Sequence, residues 1–180
     1  MITRQIPLTR GLVAVVDKVD YDVAFAAGPW NAHPDRRTFY AQKTLHLPGR
    51  DTSVRLHSLL TGWPLVDHIN GDGLDNRRAN LRRATHAQNQ ANQRRSLANR
   101  SGFKGVSFYQ RHGQWQSVIQ IGGRKRHLGY FPTPRDAARA YDAAAIEAWG
   151  EYARLNFPGE RLVDDFDWDA AEHDIAWRRP

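Results

Sequence analysis

The chain has 180 residues, of which 41% are apolar, so it can build one domain or two small ones and is not a disordered tail. Lysine and arginine number 26 against 19 acidic residues, and the excess lies in the body: residues 1–60 carry +3, residues 61–100 and 101–158 carry +4 each, and residues 159–180 carry −4. A basic body favours a polyanionic partner such as nucleic acid, although a merely soluble basic protein would have the same balance.

Cysteine is absent, which excludes a disulfide framework and a zinc site built on thiolates. Any metal would therefore be held by oxygen or imidazole ligands. No apolar run approaches the roughly 20 residues that span a bilayer, and the N-terminus lacks the charged-then-apolar order of a signal peptide. We therefore expect an intracellular protein that does not contact a membrane.

The N-terminal third predicts short strands separated by turns. Residues 13–16 and a run near Tyr40 are strand candidates, and a short helix is expected near 56–61. His57 and Trp30 could touch nucleic acid, but a lone histidine or tryptophan in an apolar run is more often part of the core. We predict a small twisted sheet here.

Residues 66 to 92 read VDHINGDGLDNRRANLRRATHAQNQAN and combine an acid–histidine pair with spaced asparagines. Asp67 and His68 end a short apolar run, Asn80 follows 12 residues after His68, and Asn89 lies nine residues beyond Asn80. The string NGDGLDN supplies residues that tolerate tight turns, so a loop follows the pair.

A second strand and a helix are expected after this loop. Residues 81–84 predict the strand, and Thr85 with Gln88 fits a capping box, in which each side chain satisfies a free backbone donor at the start of a helix. Asn89 would then lie one turn into the helix and point toward the acid–histidine pair.

This order of residues resembles the HNH family of nucleases, whose ββα-metal fold uses an acid–histidine pair, a central asparagine and a final histidine or asparagine. With Asn89 in the final position, the segment is similar to the H-N-N variant of phage-type homing endonucleases. The resemblance implies that His68 is the general base, that Asn80 orients its imidazole, and that Asp67 and Asn89 hold the metal. It also implies a cytoplasmic location in a bacterial or phage-infected cell.

The residue types suit the hydrolysis of a phosphodiester, which needs an activated water and neutralisation of charge on the phosphoryl oxygens. Asp67 offers an anionic oxygen and Asn89 a neutral one, which suits Mg²⁺ or another divalent cation such as Mn²⁺. An imidazole with a pKa near about 6.5 is largely neutral at working pH and can take a proton from water. The structural alternative is that Asp67 and His68 only cap a hairpin. The joint spacing of this pair with the later asparagines favours the nuclease.

Basic side chains around this motif could bind phosphate, because a guanidinium fork donates two parallel hydrogen bonds. Residues 93–100 are polar and basic, and they predict a linker that could itself lie on phosphates. A solvated basic face is the alternative for any single arginine. The candidates are Arg77, Arg78, Arg82, Arg83, Arg94 and Arg95.

The next segment predicts an antiparallel three-stranded meander followed by a helix. Runs 103–109, 114–121 and 125–131 alternate in polarity and are separated by glycine turns. Thr133 suits the cap of the helix, with proline at the first helical position and a glycine at the stop. We expect the buried side of this sheet to contain Phe103, Val106, Ile119, Leu128 and Phe131.

Residues 101–158 resemble the ERF/APETALA-type DNA-binding domain, through the strings FKGV, GQW, LGYF, AARAYDAA and LNFP. The resemblance implies that the sheet enters the major groove of DNA. Lys104 stands where arginine is usual, Ser107 replaces another arginine and His127 replaces a tryptophan. The DNA-binding candidates are Lys104, Arg111, Trp115, Arg124, Lys125, Arg126 and His127, and strand alternation lets only some of them reach DNA.

We therefore predict an α+β chain with a ββα-metal HNH nuclease core, a small β-rich region before it and a three-stranded antiparallel sheet packed on one helix after it. The predicted parts are a nuclease domain (1–92), a basic linker (93–100), a DNA-binding domain (101–158) and an acidic tail (159–180). The predicted function is metal-dependent cleavage of double-stranded DNA, by a chain that binds DNA as a monomer. A non-catalytic DNA-binding regulator with a nuclease-like fold is the main alternative, and an RNA-binding protein fits less well because RNA-binding signatures are missing.

Overall fold

The computed structural model describes residues 2–35 and 37–160. The chain forms two compact units, one running to Asn89 and the other starting at Gln90. It is a mixed α/β chain with several small antiparallel sheets and few helices, which confirms the predicted class at this level. No helix in this described part is long and apolar enough to cross a membrane. Most of the predicted acidic tail, from residue 161 onward, lies outside the described residues.

The first unit is built from antiparallel strand pairs and short helices. Its elements are β1 (Thr3–Pro7), β2 (Val13–Asp17), α1 (Tyr21–Ala26), β3 (Asn31–Asp35), β4 (Thr38–Leu47), β5 (Arg50–Arg55), α2 (Leu56–Thr61), β6 (Val66–His68), β7 (Leu81–Arg83) and α3 (His86–Ala91), in which the unit boundary falls. Strand β1 pairs with β2, β4 lies between β3 and β5, and β6 pairs with β7. The short helix expected near 56–61 is present as α2, directly after β5, and Gly62 ends that helix with a left-handed φ of 69°.

The core of this unit surrounds one tryptophan. Trp30 is 2% exposed, and its indole nitrogen donates to the Ala24 carbonyl at 2.8 Å, which satisfies the polar end of a side chain buried among apolar groups. His57, on α2, is buried as well. The interpretation of both residues as parts of the protein interior is confirmed. The remaining core side chains are Ile6, Ala14, Val16, Ala41 and Leu56.

The acid–histidine motif forms a strand, a loop, a second strand and a helix. Strands β6 and β7 are antiparallel, with His68 opposite Leu81. The predicted capping box starts α3: the Thr85 backbone nitrogen donates to Gln88 Oε1 at 2.7 Å, and the Gln88 backbone nitrogen donates to Thr85 Oγ1 at 3.2 Å. This cap fixes where the helix begins and hence where Asn89 lies.

The loop between β6 and β7 is anchored on the N-terminal strands. The Val15 backbone nitrogen donates to the Leu74 carbonyl at 2.8 Å, and the Asn76 nitrogen donates to the Val15 carbonyl at 2.7 Å. The Gly73 nitrogen donates to Thr38 Oγ1 at 2.8 Å, at the start of β4. The β-rich region therefore serves as the platform for the motif.

The second unit contains a three-stranded sheet with one long helix packed on it. Its elements are β8 (Val106–Tyr109), β9 (Gln114–Ile121), β10 (Arg124–Phe131) and α4 (Pro134–Trp149), and β9 is the central strand. The helix starts as predicted, because Thr133 Oγ1 accepts from the Asp136 backbone nitrogen at 3.2 Å. The predicted buried face is confirmed: Val106, Ile119, Leu128 and Phe131 are buried, and Phe103 packs against the same core.

Candidate active site and nucleic-acid interface

Asp67 and His68 are neighbours on β6, and both are buried, with exposed fractions of 6% and 4%. Successive strand residues project to opposite sides, so the carboxylate and the imidazole leave β6 in different directions. Arg82 lies opposite Asp67 on β7, and its Nε and Nη2 donate to Asp67 Oδ2 at 2.8 and 2.7 Å. This cation offsets the cost of burying a carboxylate.

The His68 imidazole packs among rings from two earlier elements. The ring centroids of Tyr40 on β4 and His57 on α2 lie 5.6 and 5.0 Å from that of His68. Burial lowers the pKa of His68, and it outweighs the opposite effects of the Asn76 amide and the nearby carboxylates. The imidazole is therefore neutral at neutral pH, which is the form that can accept a proton.

Asn80 is buried and holds both ends of the loop between the strands. Its Oδ1 accepts from the Asn70 backbone nitrogen at 3.0 Å, and its Nδ2 donates to the Asp75 carbonyl at 2.8 Å. The Ile69 nitrogen donates to the Asn80 carbonyl at 2.9 Å. These bonds act on the loop that follows His68, so an orienting effect of Asn80 on the imidazole would pass through the backbone.

Asn76 is a member of the site that sequence reasoning assigned only to the shape of the loop. It is 1% exposed, its Nδ2 donates to the Leu74 carbonyl at 3.1 Å, and its Oδ1 is buried without a hydrogen bond of standard geometry. Its side chain lies close enough to His68 to raise the pKa of that imidazole. A polar loop residue has no sequence signal for this, because its inward direction depends on how the loop docks on β2.

Asn89 lies on α3 with its carboxamide toward β6. Its Nδ2 donates to the Val66 carbonyl at 3.4 Å, whereas its buried Oδ1 has no hydrogen-bond partner among the described residues. An unsatisfied buried oxygen close to a carboxylate-bearing strand fits a ligand for a hard cation. Val66 directly precedes Asp67 on β6. The hydrogen bond from Asn89 to Val66 therefore joins α3 to the strand that carries Asp67.

The donor set limits what kind of metal site can form here. Within residues 2–35 and 37–160, no group of three or more His, Asp or Glu side chains is arranged to hold a metal ion. Two oxygen ligands, Asp67 and Asn89, would leave most of the coordination shell to water or phosphate, which is the usual situation for Mg²⁺.

Besides Arg82, two of the predicted phosphate-binding arginines pair with carboxylates. Arg77 donates through Nε and Nη2 to Asp75 at 2.7 and 2.6 Å, and Arg78 donates in the same way to Asp20 at 2.8 and 2.7 Å. Both arginine side chains remain about half exposed, at 46% and 56%. Each guanidinium can thus be held in place by an acid and still meet a phosphate.

The other four arginines fall into two groups. The Arg82 side chain is only 12% exposed and is directed to Asp67. Arg83, Arg94 and Arg95 are exposed, on β7 and after α3. Exposure makes these three the better candidates for phosphate contacts, and the local structure gives Arg82 a role in supporting the acid.

Lys104 was predicted to contact DNA, but its ammonium is directed inward. It donates to the Ala91 carbonyl and lies over the Tyr141 ring, 5.8 Å from the centroid. Burial, assisted by Arg154 and opposed by Asp142, lowers the pKa of Lys104 to about 8. The side chain therefore supports the fold of the second unit in the conformation described here.

Trp115 likewise faces the interior of its unit. It pairs across the sheet with Phe108 and Phe131, and it packs against the core formed with α4. The ring centroids of Trp115 and Phe108 are 5.1 Å apart, and the two rings are arranged edge to face. Strand alternation places Trp115 on the helix side of the sheet.

The opposite face of the sheet has a row of rings that sequence reasoning largely missed. His127, Tyr130, Tyr109 and His112 are linked by centroid distances of 4.5 to 5.3 Å. Of these, only His127 was predicted as a contact. Burial lowers the pKa of His127, and its Nε2 is buried without a partner among the described residues. The strand register could have revealed the row, because alternate residues of paired strands share a face.

Four basic candidates at the sheet are exposed: Arg111, Arg124, Lys125 and Arg126. Lys125 lies opposite Gln120 on β9 and shares the open face with the row of rings, whereas Arg124 and Arg126 lie opposite Ile121 and Ile119. Long basic side chains at the sheet edge can still reach around it. Lys125 is thus the candidate that the strand register favours most directly.

Comparison with known proteins identifies both parts of the chain. Residues 62–91 match the sequence model of the HNH endonuclease family. An uncharacterised HNH endonuclease, L560, of Acanthamoeba polyphaga mimivirus is 33% identical over 91 residues, which cover 51% of this chain and 46% of that protein. These matches support nuclease activity at the level of the family.

The C-terminal part matches plant proteins. APETALA2-like protein 2 of Oryza sativa subsp. indica is 46% identical over 65 residues, covering 36% of this chain and 15% of that protein. The AP2-like ethylene-responsive transcription factor TOE2 of Arabidopsis thaliana is 42% identical over 69 residues, covering 38% and 13%. No solved structure matches.

The chain thus has two parts, each similar to a different kind of known protein. It combines an HNH endonuclease segment with an AP2/ERF-type domain. The matched segments span less than half of the mimivirus protein and a small fraction of the plant proteins.

Proposed function

We propose that the chain is a divalent-metal-dependent endonuclease of the HNH homing type that hydrolyses a phosphodiester in double-stranded DNA. The observation that carries the proposal is the buried pair Asp67 and His68 on β6, together with Asn89, whose Nδ2 donates to the Val66 carbonyl of the same strand and whose buried Oδ1 has no hydrogen-bond partner among the described residues. A buried acid, a neutral imidazole and a buried amide oxygen without a partner in the described part of the chain are costly for a fold and useful for this chemistry. The β6–β7–α3 arrangement is consistent with a ββα-metal core.

His68 would act as the general base. Its neutral imidazole would take a proton from a water as the water oxygen forms a bond to phosphorus, and the bond from phosphorus to the departing 3′ oxygen would break. Asn80 would support this by fixing the loop after His68 through its bonds to Asn70 and Asp75. Arg82 would keep Asp67 in place by pairing with its carboxylate.

Asp67 and Asn89 would hold the divalent cation, with Mg²⁺ as the first choice and Mn²⁺ as a substitute. When bound, such a cation would neutralise charge on the phosphoryl oxygens. Asp67 would provide the anionic oxygen of the site, and Asn89 would provide a neutral one through its buried Oδ1, which has no other partner within residues 2–35 and 37–160.

The second part of the chain would lengthen the contact with DNA. We propose domains at 1–92 and 101–158, joined by a basic linker at 93–100 and followed by an acidic tail. Exposed Arg83, Arg94, Arg95 and Lys125 would contact phosphates, and the row of rings on the open sheet face would lie toward the groove. Two linked modules gain affinity through effective concentration, so a monomer could bind a long site.

A plasmid assay tests this function. Supercoiled DNA incubated with the chain and Mg²⁺ should convert to open circles or linear DNA, and a chelator should stop the conversion. His68→Ala should slow turnover by about 10²–10⁴-fold, the usual worth of a general base, while binding to DNA measured by fluorescence anisotropy is retained. His46→Ala, at an exposed histidine on β4, is the matched control and should cleave like the parent.

Two outcomes would count against the proposal. Persistent DNA binding without cleavage in Mg²⁺ or Mn²⁺ would favour the non-catalytic DNA-binding regulator. Cleavage by His68→Ala at the rate of the parent would remove His68 from the mechanism.

A further inference from the structure

Three aromatic side chains from different elements meet at the candidate site. The ring centroids of His57 and His68 are 5.0 Å apart at an interplanar angle of 72°, and those of Tyr40 and His57 are 5.5 Å apart at 82°. Tyr40 also lies 5.6 Å from His68. We call Tyr40, His57 and His68 the ring cluster. Tyr40 and His57 both lie outside residues 62–91, the part that matches the HNH family.

The ring cluster restricts the His68 side chain from two directions. His57 is 5% exposed on α2 and His68 is 4% exposed on β6, so neighbouring groups enclose most of each ring. Edge-on contacts between rings are favourable and depend on their relative orientation. Rotation of the His68 imidazole would break the contacts with both Tyr40 and His57.

Tyr40 is itself held in place on both sides. The loop after His68 brings Gly73 so close that a Cβ there would lie 2.5 Å from the Tyr40 ring and 2.5 Å from the Phe39 carbonyl oxygen. The guanidinium of Arg55 lies 4.4 Å from the Tyr40 ring centroid. The Tyr40 ring is thus fixed relative to β4, and its contact with His68 limits how far the His68 imidazole can move.

His57 supplies shape to the ring cluster without adding charge. Burial, together with His68 and Arg55, lowers the pKa of His57 to about 3, so this imidazole is neutral near pH 7. A neutral His57 places no cation beside His68. His57 therefore acts on His68 through the contact between their rings and not through a charge.

We propose that Tyr40 and His57 are positioning residues, which hold the His68 imidazole in the plane from which it accepts a proton from water. This inference rests on the proposed nuclease function of the same site. It predicts that a flat ring at either position is sufficient, and that loss of the ring lowers the rate of the chemical step without weakening DNA binding.

The test uses full-length variants that separate ring shape from side-chain size. His57→Gln removes the ring and keeps a polar side chain of similar volume, whereas His57→Phe keeps a ring that cannot titrate. Tyr40→Leu and Tyr40→Phe form the same pair at the other position, and exposed His46→Ala is the control. For each folded variant, kcat and KM are measured on a plasmid with Mg²⁺, and DNA affinity is measured in Ca²⁺ or chelator.

Both ring-removing variants should lower kcat by about 10- to 100-fold with KM and DNA affinity near those of the parent, because displacement of a catalytic group by about 1 Å has costs of that order. Both phenylalanine variants should restore most of kcat. Thermal melting of each variant, followed by circular dichroism, identifies any loss that comes from unfolding, since unfolding would lower the amounts of active and DNA-binding protein together.

The outcomes separate this inference from the proposed function. A parent chain that cleaves only when His68 is intact supports the function, and parental kcat in His57→Gln and Tyr40→Leu would then overturn the positioning role alone. Equal losses of kcat in His57→Phe and His57→Gln would also overturn it at His57, because ring shape would not matter. A parent chain that never cleaves would overturn both.

Discussion

The side-chain oxygen of Asn89 has the features of an atom that binds a metal ion. Its Nδ2 bonds to the Val66 carbonyl, but its buried Oδ1 has no hydrogen-bond partner among the described residues. Leaving a buried acceptor unsatisfied costs about 1–3 kcal/mol, which a bound cation would offset. The atom therefore fits the proposed role better than a purely structural one.

Replacement of this oxygen gives a direct prediction. Asn89→Ala should raise the Mg²⁺ concentration for half-maximal cleavage by about 10-fold or more, with partial recovery of the rate at excess Mg²⁺. The measurement is a plasmid cleavage rate across a Mg²⁺ titration. Exposed Gln90→Ala on the same helix is the matched control and should titrate like the parent. The ligand assignment would be wrong if Asn89→Ala and the parent had the same Mg²⁺ dependence.

At the scale of elements, the loop between β6 and β7 joins the motif to the N-terminal strands. It bonds to Val15 on β2 and to Thr38 on β4, and Gly73 packs against the backbone of Phe39. The same loop is closed by Asn80. The position of this loop therefore depends on its bonds to β2 and β4 as much as on the residues of the motif itself.

The close contact at Gly73 makes the platform testable. In Gly73→Ala the new Cβ would lie 2.5 Å from the Phe39 carbonyl oxygen, and a backbone atom cannot move aside as a flexible side chain would. The loop should shift, with a stability loss of about 1–3 kcal/mol in urea unfolding and a lower cleavage rate. Ala79→Ser, which adds an atom at an exposed position of the same motif, should leave both unchanged. Parental stability and cleavage in Gly73→Ala would contradict the platform.

At the scale of the whole molecule, positive charge is shared between the two parts. Residues 61–100 and 101–158 each carry a formal +4, and the second part has its own core and its own capped helix. Phosphate contacts supply most of the affinity that does not depend on DNA sequence. Each part can thus contribute separately to binding.

Removal of the second part tests whether each part contributes separately to DNA binding. A chain ending near Arg100, once shown to be folded by circular dichroism, should retain Mg²⁺-dependent cleavage but lose much of its affinity and site preference. Each lost phosphate contact should reduce the slope of log affinity against log salt by about 0.9, because fewer counterions are released on binding. Binding titrations at several salt concentrations provide the slope. An unchanged slope and an unchanged site preference would mean that the second part does not bind DNA.

Local patterns in the sequence predicted several elements of the chain and their order. The caps at Thr85 and Thr133, the helix near 56–61 and the three strands of the second unit could all be predicted, because they depend on residues within a few positions of one another. The joint spacing of Asp67, His68, Asn80 and Asn89 likewise predicted the resemblance to HNH nucleases, and residues 62–91 match the model of that family.

Only the tertiary structure decided what those side chains touch. Arg82 and Lys104 are basic in sequence, yet one pairs with Asp67 and the other donates to the Ala91 carbonyl. Tyr40 and His57 meet His68 although they are 28 and 11 residues away from it in the chain. Burial and ring contacts arise when distant elements pack together, and the free energy of a charged or polar group depends on that packing more than on its neighbours in sequence.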